Sequence, residues 1–147
     1  MYTYPFPRPS VTADMLIRNE KGEILLIQRG NEPFQGRYAL PGGFLEVDRE
    51  TLEECAIREA QEETGLIVEI ERLIGVYSHP KRDPRAHNVT GAFLAKPISM
   101  EQAATAKAGD DAGAVLWIDP RSEDFKALDL AFDHDRIIAE ALGVQHP

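Results

Sequence analysis

Residues 42–66 read GGFLEVDRETLEECAIREAQEETGL and contain eight acidic side chains in 25 positions. Thr51 followed three residues later by Glu54 has the spacing of a capping box, and Gly65 is a residue type that commonly ends helices. The stretch therefore predicts a helix over residues 52–64 that carries most of the acids. Because like charges on one helix repel each other, this concentration needs a physical reason.

The helical repeat separates these acids into two groups. At about 100° per residue, one face of the helix collects the small and apolar side chains: Leu52, Cys55, Ala56 and Ala60. Glu59 and Glu63 fall in the middle of that face, and Glu62 falls at its edge. The opposite face, expected to be solvated, holds Glu53, Glu54, Arg58 and Gln61.

A solvated surface, the ordinary interpretation of a run of charges, explains the second group but not Glu59 and Glu63. Packed beside apolar side chains without a partner, each carboxylate would cost several kcal/mol or take up a proton. Arg58 is the only base in the helix sequence. A bound cation supplies the missing partner, and carboxylate oxygens favour Mg²⁺ or Mn²⁺. Such an ion is suited to phosphoryl chemistry.

The composition limits the classes of partner. A chain of 147 residues predicts one domain, 1–147, with a Pro-rich arm at residues 1–9. The net charge of −9 argues against nucleic acid as a partner, because that binding depends on an excess of Lys and Arg. No stretch approaches the roughly 20 apolar residues that span a bilayer, so no membrane partner is expected. Cys55 is the only cysteine, which fits a reducing cytoplasm.

Strand and helix patterns alternate along the rest of the chain. Apolar runs predict strands at residues 10–18, 23–28, 38–43, 66–77, 89–95 and 114–118, with a hairpin turn at 19–22. Residues 129–143 read as one closing amphipathic helix that ends at Gly143. Strands separated by a central and a terminal helix predict an α/β or α+β sandwich, a mixed sheet covered by helices.

The stretch at 42–66 resembles the Nudix box, G-x5-E-x7-R-E-U-x-E-E-x-G-U, in which U is a bulky aliphatic residue. Glu50, Arg58-Glu59, Glu62-Glu63 and Gly65-Leu66 fall in register. Two positions depart from the pattern: six residues instead of five separate Gly43 from Glu50, and the first U position is the small Ala60. The resemblance implies a Nudix-type α/β/α sandwich with a mixed central sheet.

The same resemblance implies a function, which is metal-dependent hydrolysis of the pyrophosphate bond in a nucleoside diphosphate derivative. By position, Glu59, Glu62 and Glu63 would bind Mg²⁺, and one of them or another carboxylate would activate water. Arg58 would orient these glutamates by ion pairing, with Glu50 as a supporting residue. Gly42 and Gly43 would let the backbone approach the metal or phosphate closely.

The flanking sequences are similar to a Nudix subgroup that includes ADP-ribose pyrophosphatases and ADP-ribose-sensing regulators. The resemblance rests on residues 29–44 and 75–95 and on LAFDHDRII at 130–138. Bidentate phosphate contacts are expected from Arg29, Arg82 and Arg85. For Arg82 and Arg85 an ordinary charged loop is the competing interpretation. The subgroup also implies a homodimer, across which the Pro-rich arm could pack.

The sequence is also compatible with two other functions and contains further candidate residues. One alternative is a nucleoside triphosphate pyrophosphatase that removes oxidised nucleotides, and another is a non-catalytic ADP-ribose sensor. Asp110 and Asp111 are candidates for a further metal-binding carboxylate. Trp117 is expected in the core rather than as a base-stacking platform, and Phe34 and Tyr38 either border the site or pack on the sheet. A solvated or hydrogen-bonded structural role is expected for the histidines His79, His87 and His134.

Overall fold

The computed structural model describes residues 2–109 and 112–144 of the chain. Within these ranges the strands are β1 (Ser10–Ile17), β2 (Ile24–Arg29), β3 (Tyr38–Ala39), β4 (Gly42–Phe44), β5 (Val68–Tyr77), β6 (Asn88–Pro97) and β7 (Ala112–Ile118). The helices are α1 (Leu52–Thr64), α2 (Met100–Ala103), α3 (Glu123–Lys126) and α4 (His134–Leu142). None of the described helices is long and apolar enough to cross a membrane.

The strands form two sheets. A four-stranded sheet has the order β4-β1-β6-β5, in which β1 runs parallel to β6 and antiparallel to β4. A three-stranded antiparallel sheet has the order β3-β2-β7. The predicted turn at residues 19–22 is present, but β1 and β2 meet only at the Arg18–Ile24 bridge and then enter different sheets. The hairpin expectation is wrong to that extent.

Strands β1 and β2 are buried on both faces because helices cover the sheets on both sides. Every residue of 13–17 and 24–27 is buried, as expected of strands inside a layered structure. Ala13, Met15 and Leu25 pack with α1, whereas Leu16 and Ile24 pack with α4 on the other side. This arrangement confirms the predicted mixed α/β sandwich.

Helix α1 begins and ends where the sequence predicts. Thr51 Oγ1 accepts the Glu54 N–H, the Glu54 carboxylate accepts the Thr51 N–H, and Gly65 adopts φ 75°. Ala60, the small residue at a position where the Nudix box has a bulky one, is fully buried. The extra residue before Glu50 lies in a turn in which the Arg49 N–H donates to the Glu46 carbonyl.

The structure corrects the predicted C-terminal helix. α4 begins only at His134, not at residue 129, because Leu130 pairs with Tyr38 and Phe132 has the left-handed φ of 53°. The sequence pattern also missed the short helices α2 and α3, each of four residues. The irregular segment that precedes α4 reaches the candidate site.

Candidate active site

Strand β4 places the two glycines of the box beside helix α1. Asp14 pairs with Gly42 and Ala13 with Gly43 in the antiparallel β1–β4 ladder. A Cβ at Gly43 would lie 2.4 Å from the Glu59 carboxylate carbon, and one at Gly42 would lie 2.4 Å from Asp14 Oδ1. A side chain at either position would therefore collide with a carboxylate. The approach of this backbone to metal or phosphate, expected from the sequence, stays a prediction.

Substitution of Gly43 by alanine should displace Glu59, because the new Cβ would contact all three carboxylate atoms at 2.4–2.6 Å. We expect the rate of pyrophosphate-bond hydrolysis to fall roughly 10- to 100-fold, as is typical when the surroundings of a metal-binding group are disturbed. The midpoint of thermal unfolding should change little. Gly113→Ala is the matched control for activity, because the backbone of this exposed glycine is not left-handed and an added Cβ would make only ordinary contacts, the nearest with Gln28 Oε1 at 3.5 Å. Equal activity of Gly43→Ala and the wild type would contradict the role of this close contact.

Two glutamates of α1 face the cavity with too few nearby positive charges and hydrogen-bond donors to offset the burial of their carboxylates. The Glu63 carboxylate accepts the Gly42 N–H at 3.2 Å, and the Glu59 side chain is 15% exposed. Burial raises the pKa of Glu59, although Arg58 opposes the shift. Burial and the negative charge of Glu59 together raise the pKa of Glu63 to about 8. Raised pKa values of this kind mark a pair of carboxylates that a cation would stabilise.

Arg58 links the remaining acids of the box. Its guanidinium binds both oxygens of Glu50 at 2.8 and 2.9 Å, and it donates to Glu59 Oε1 at 2.9 Å and to Glu62 at 3.2 Å. It also donates to the Phe44 carbonyl at 3.2 Å. The bidentate bond from Arg58 holds the pKa of Glu50 at about 2. The solvated position predicted for Arg58 is wrong, because its side chain is only 25% exposed.

A second wall of the cavity is cationic. The Arg29 and Arg85 guanidiniums both lie over the Phe132 ring, with Cζ 5.0 and 5.9 Å from its centroid. Burial and then the positive charge of Arg85 lower the pKa of Arg29. Asp83 binds the Arg85 side chain at 2.8 and 3.1 Å. This wall therefore carries two guanidiniums close enough to repel one another.

Arg82 also lines the cavity, but its charge is already paired. Its side chain is 4% exposed, and its guanidinium donates to both Asp133 oxygens at 2.7 and 2.9 Å. It lies 3.9 Å from Asp14 Oδ2. The predicted role of Arg82 in substrate binding thus competes with a clear structural role, in which it joins the 78–87 loop to the start of α4.

These walls enclose one open cavity of about 340 Å³. It brings together eight of the nine residues predicted from the sequence: Arg29, Gly42, Gly43, Arg58, Glu59, Glu63, Arg82 and Arg85. The exception is Glu62, whose side chain is 57% exposed and is held by Arg58 outside the cavity lining. Asp110 and Asp111 lie outside the described residues.

The cavity contains donor atoms of the kind that a divalent metal ion prefers. Glu59 and Glu63 supply carboxylate oxygens that burial leaves short of positive charge, which fits a hard divalent ion. In the described part of the chain, no three His, Cys, Asp or Glu side chains already converge as a metal-binding group. Water and substrate oxygens are further ligands that Mg²⁺ commonly accepts beside one or two carboxylates.

A segment that the sequence pattern indicated only through His134 contacts several walls of the cavity. The Ala131 N–H donates to the Tyr38 carbonyl, Phe132 lies beneath Arg29 and Arg85, and Asp133 binds Arg82. Four consecutive residues, 131–134, thus each hold a different part of the site. The only signal in the sequence was the resemblance of residues 130–138 to the Nudix subgroup.

His134, the last residue of this segment, is buried and fixes the strand that leads into the box. Its Nδ1 accepts the Leu40 N–H at 3.0 Å, and its Nε2 lies 3.6 Å from Asp14 Oδ1. Asp14 was also missed, and it accepts the Thr90 hydroxyl at 2.8 Å. Burial works against the charge on Asp14, but His134, Thr90 and Arg82 outweigh it and lower the pKa.

The other aromatic candidates pack structurally. The Trp117 indole donates to the Ala103 carbonyl at 3.2 Å and packs against the core around α1. Phe34 packs edge-on against Phe132, with their centroids 4.8 Å apart. Tyr38 packs against the core next to α4. These contacts agree with the core role expected for Trp117 and with the packing alternative for Phe34 and Tyr38.

Comparison with known proteins places this site in a family. The chain matches the NUDIX domain over residues 8–141. It is 46% identical over 132 residues to an ADP-ribose pyrophosphatase of Methanocaldococcus jannaschii. The aligned residues cover 90% of this chain and 72% of that protein.

Two solved structures have the same fold. The NUDIX domain of Shewanella oneidensis NrtR, complexed with ADP ribose, has a TM-score of 0.79 and 28% identity over 95% of this chain and 91% of that domain. A bifunctional NMN adenylyltransferase/ADP ribose pyrophosphatase of Francisella tularensis, complexed with AMP and a Mn ion, has a TM-score of 0.81 and 30% identity. The match covers 95% of this chain but only 43% of that protein. From the box geometry and these matches together, the chain belongs to the Nudix family.

Proposed function

We propose that this chain is a Mg²⁺-dependent pyrophosphohydrolase that cleaves ADP-ribose or a similar ADP-linked compound. The observation that carries the proposal is one cavity in which buried glutamates on one wall face arginines on the other. On one wall, burial leaves Glu59 and Glu63 short of positive charge although Arg58 bonds to Glu59, and on the other wall Arg29 lies close to a second cation, Arg85. A metal-bound diphosphate would bring positive charge to the glutamates and negative charge to the arginines. Similarity to the Methanocaldococcus jannaschii ADP-ribose pyrophosphatase, the ADP-ribose complex of the Shewanella NrtR domain and the bifunctional Francisella protein supports ADP-ribose as that diphosphate.

The proposed reaction adds one water across the pyrophosphate bond. The water oxygen bonds to one phosphorus, the bridging P–O bond breaks, and ADP-ribose yields AMP and ribose 5-phosphate. Mg²⁺, or Mn²⁺ in its place, neutralises phosphate charge and acidifies water when bound. Glu59 and Glu63 would hold that ion, and Glu62, the third metal ligand predicted from the sequence, would have to leave Arg58 to reach it. Arg58 orients Glu59, and Arg29 and Arg85 bind phosphate oxygens.

A substrate panel tests this proposal. ADP-ribose, NADH, a dinucleoside polyphosphate and nucleoside triphosphates would each be incubated with Mg²⁺, with Mn²⁺ or with EDTA, and the products identified. ADP-ribose should have the highest kcat/KM, and EDTA should abolish turnover. Preference for an oxidised nucleoside triphosphate would favour the nucleotide-cleaning alternative. Binding of ADP-ribose without turnover of any compound would favour the sensor alternative.

The raised pKa of Glu63 predicts how the metal-free protein responds to pH. Its folded-state value of about 8 exceeds the ordinary 4.5, so the folded protein binds more protons than the unfolded chain between those values. The free energy of unfolding should therefore fall as pH rises from 4.5 to 8, and this contribution should level off above 8. Urea unfolding in EDTA from pH 5 to 9 would show it as the difference between wild type and Glu63→Gln. Parallel curves for the two proteins would contradict the shift.

We also propose a homodimer in the cytoplasm. The arm before β1 exposes three aromatic side chains, Tyr2, Tyr4 and Phe6, at 73%, 50% and 64%. Exposed apolar groups of this kind favour packing against another protein surface. Light scattering after gel filtration should give twice the monomer mass of 16.4 kDa. A monomer at micromolar concentration would contradict the dimer.

A further inference from the structure

Phe132 has an unusual backbone for a bulky residue. Its φ of 53° lies in the left-handed region, which favours glycine and asparagine and is strained for an aromatic side chain. The surrounding contacts must therefore hold it there. Its neighbours fix it on both sides in sequence, because the Ala131 N–H donates to the Tyr38 carbonyl and Asp133 binds Arg82.

This backbone places the ring beneath two cations. Arg29 Cζ lies 5.0 Å and Arg85 Cζ 5.9 Å from the ring centroid. A guanidinium within about 6 Å of an aromatic face is attracted by the ring quadrupole. The same ring therefore offsets part of the repulsion between Arg29 and Arg85 before any anion is bound.

Neither guanidinium is fully used by the protein. Arg29 donates through Nε to the Pro33 carbonyl at 2.6 Å, and Arg85 donates through Nε and Nη2 to Asp83. The described residues give the Arg29 Nη1 and Nη2 groups, and the Arg85 Nη1 group, no hydrogen-bond acceptor. The Nε contacts hold one edge of each guanidinium, and the Phe132 ring contacts both side chains. Arg85 Cζ also lies 5.4 Å from the centroid of the Phe44 ring.

We propose that Phe132 is a positioning residue that holds Arg29 and Arg85 as a paired clamp for one diphosphate group. This inference rests on the proposed function and adds a residue that the Nudix box does not contain. Phe132 acts through the two arginines, so removal of its ring should weaken anion binding more than the chemical step.

The test uses inorganic pyrophosphate, so that it does not depend on which nucleotide is the substrate. Calorimetric titration of the metal-free protein in EDTA would compare the wild type with Phe132→Leu and Phe132→Tyr. Phe132→Leu removes the aromatic face and should weaken pyrophosphate binding about 10-fold. Phe132→Tyr keeps the face and should bind pyrophosphate as tightly as the wild type. Phe132→Asn is a second variant without the ring, and its side chain suits the left-handed backbone. It keeps the test informative if leucine does not fold.

A double-mutant cycle separates positioning from a merely structural role. In an Arg29→Gln/Arg85→Gln background, Phe132→Leu should change pyrophosphate affinity less than twofold, because the groups it positions are gone. An equal loss in both backgrounds would overturn the proposal. So would wild-type affinity in Phe132→Leu or Phe132→Asn, or no pyrophosphate binding by the wild type. These results leave the ADP-ribose turnover assay, which tests the proposed function, as a separate measurement.

Discussion

Glu63→Gln should lose hydrolysis of ADP-ribose by roughly 10²- to 10⁴-fold in kcat while the protein stays folded. The amide keeps the size of the side chain but removes the negative charge that would hold Mg²⁺ or accept a proton. Because burial raises the pKa of Glu63 to about 8, its charge is a cost to the metal-free fold at high pH. The variant should therefore unfold at an equal or higher temperature than the wild type at pH 8.5. Steady-state kinetics with Mg²⁺ and thermal unfolding in EDTA measure the two effects.

Glu53→Gln is the matched control for this experiment. Glu53 lies on the same helix and is exposed, away from the cavity lining. The same chemical change there should leave kcat and the unfolding midpoint close to wild type. Unchanged kcat in Glu63→Gln would contradict the assignment of this carboxylate. A lower midpoint in EDTA would contradict the unfavourable charge assigned to it.

Arg58→Gln should damage both activity and stability. The wild-type guanidinium bonds to Glu50, Glu59 and Glu62, and glutamine can replace only a fraction of these bonds. Hydrogen bonds to charged groups contribute about 1.5–3 kcal/mol, so a loss of about 2 kcal/mol is expected at this partly exposed site. With Glu59 no longer oriented, kcat should fall by about 10². Urea unfolding and steady-state kinetics measure the two losses.

Arg58→Lys distinguishes charge from geometry. Lysine keeps the positive charge, but a single ammonium cannot reproduce the forked contact with both oxygens of Glu50. It should recover part of the stability and little of the activity. Arg49→Gln, at an exposed position in the preceding turn, should change neither. Full activity in Arg58→Lys would show that charge alone suffices.

The sequence predicted the parts of the site that depend on local spacing. The bounds of α1 follow from Thr51, Glu54 and Gly65, which are close in the chain. The positions of Glu59 and Glu63 follow from the helical repeat, and the requirement for glycine at residue 43 follows from the motif. In each case the interacting groups lie within about 20 residues of one another, so spacing alone indicates the geometry.

The parts that the sequence did not predict depend on contacts between distant segments. Asp14 meets His134 only because β1 and the start of α4 meet at the cavity. Asp133 meets Arg82 because the loop after β5 folds over the same edge. Residues 129–133 have the composition of a helix, but pairing of Leu130 with Tyr38 outweighs that local preference. No periodic pattern in the sequence contains this information.

The partly buried position of Arg58 also depends on a contact outside the helix. The helical repeat alone puts its side chain on the solvated face of α1, but Glu50 and the Phe44 carbonyl lie on the segment that leads into the helix. That segment folds back over the first turns and partly covers the arginine. A helical wheel includes only one element, so it cannot show that a neighbouring loop supplies partners.

The most direct test of the account is product analysis after incubation of the wild-type protein with ADP-ribose and Mg²⁺. Chromatography with mass detection should show AMP and ribose 5-phosphate formed in equal amounts, and none of either in EDTA. Cleavage that continues in EDTA would contradict a reaction that depends on a metal held by Glu59 and Glu63. Release of adenine, or of ADP and free ribose, would contradict cleavage at the pyrophosphate bond.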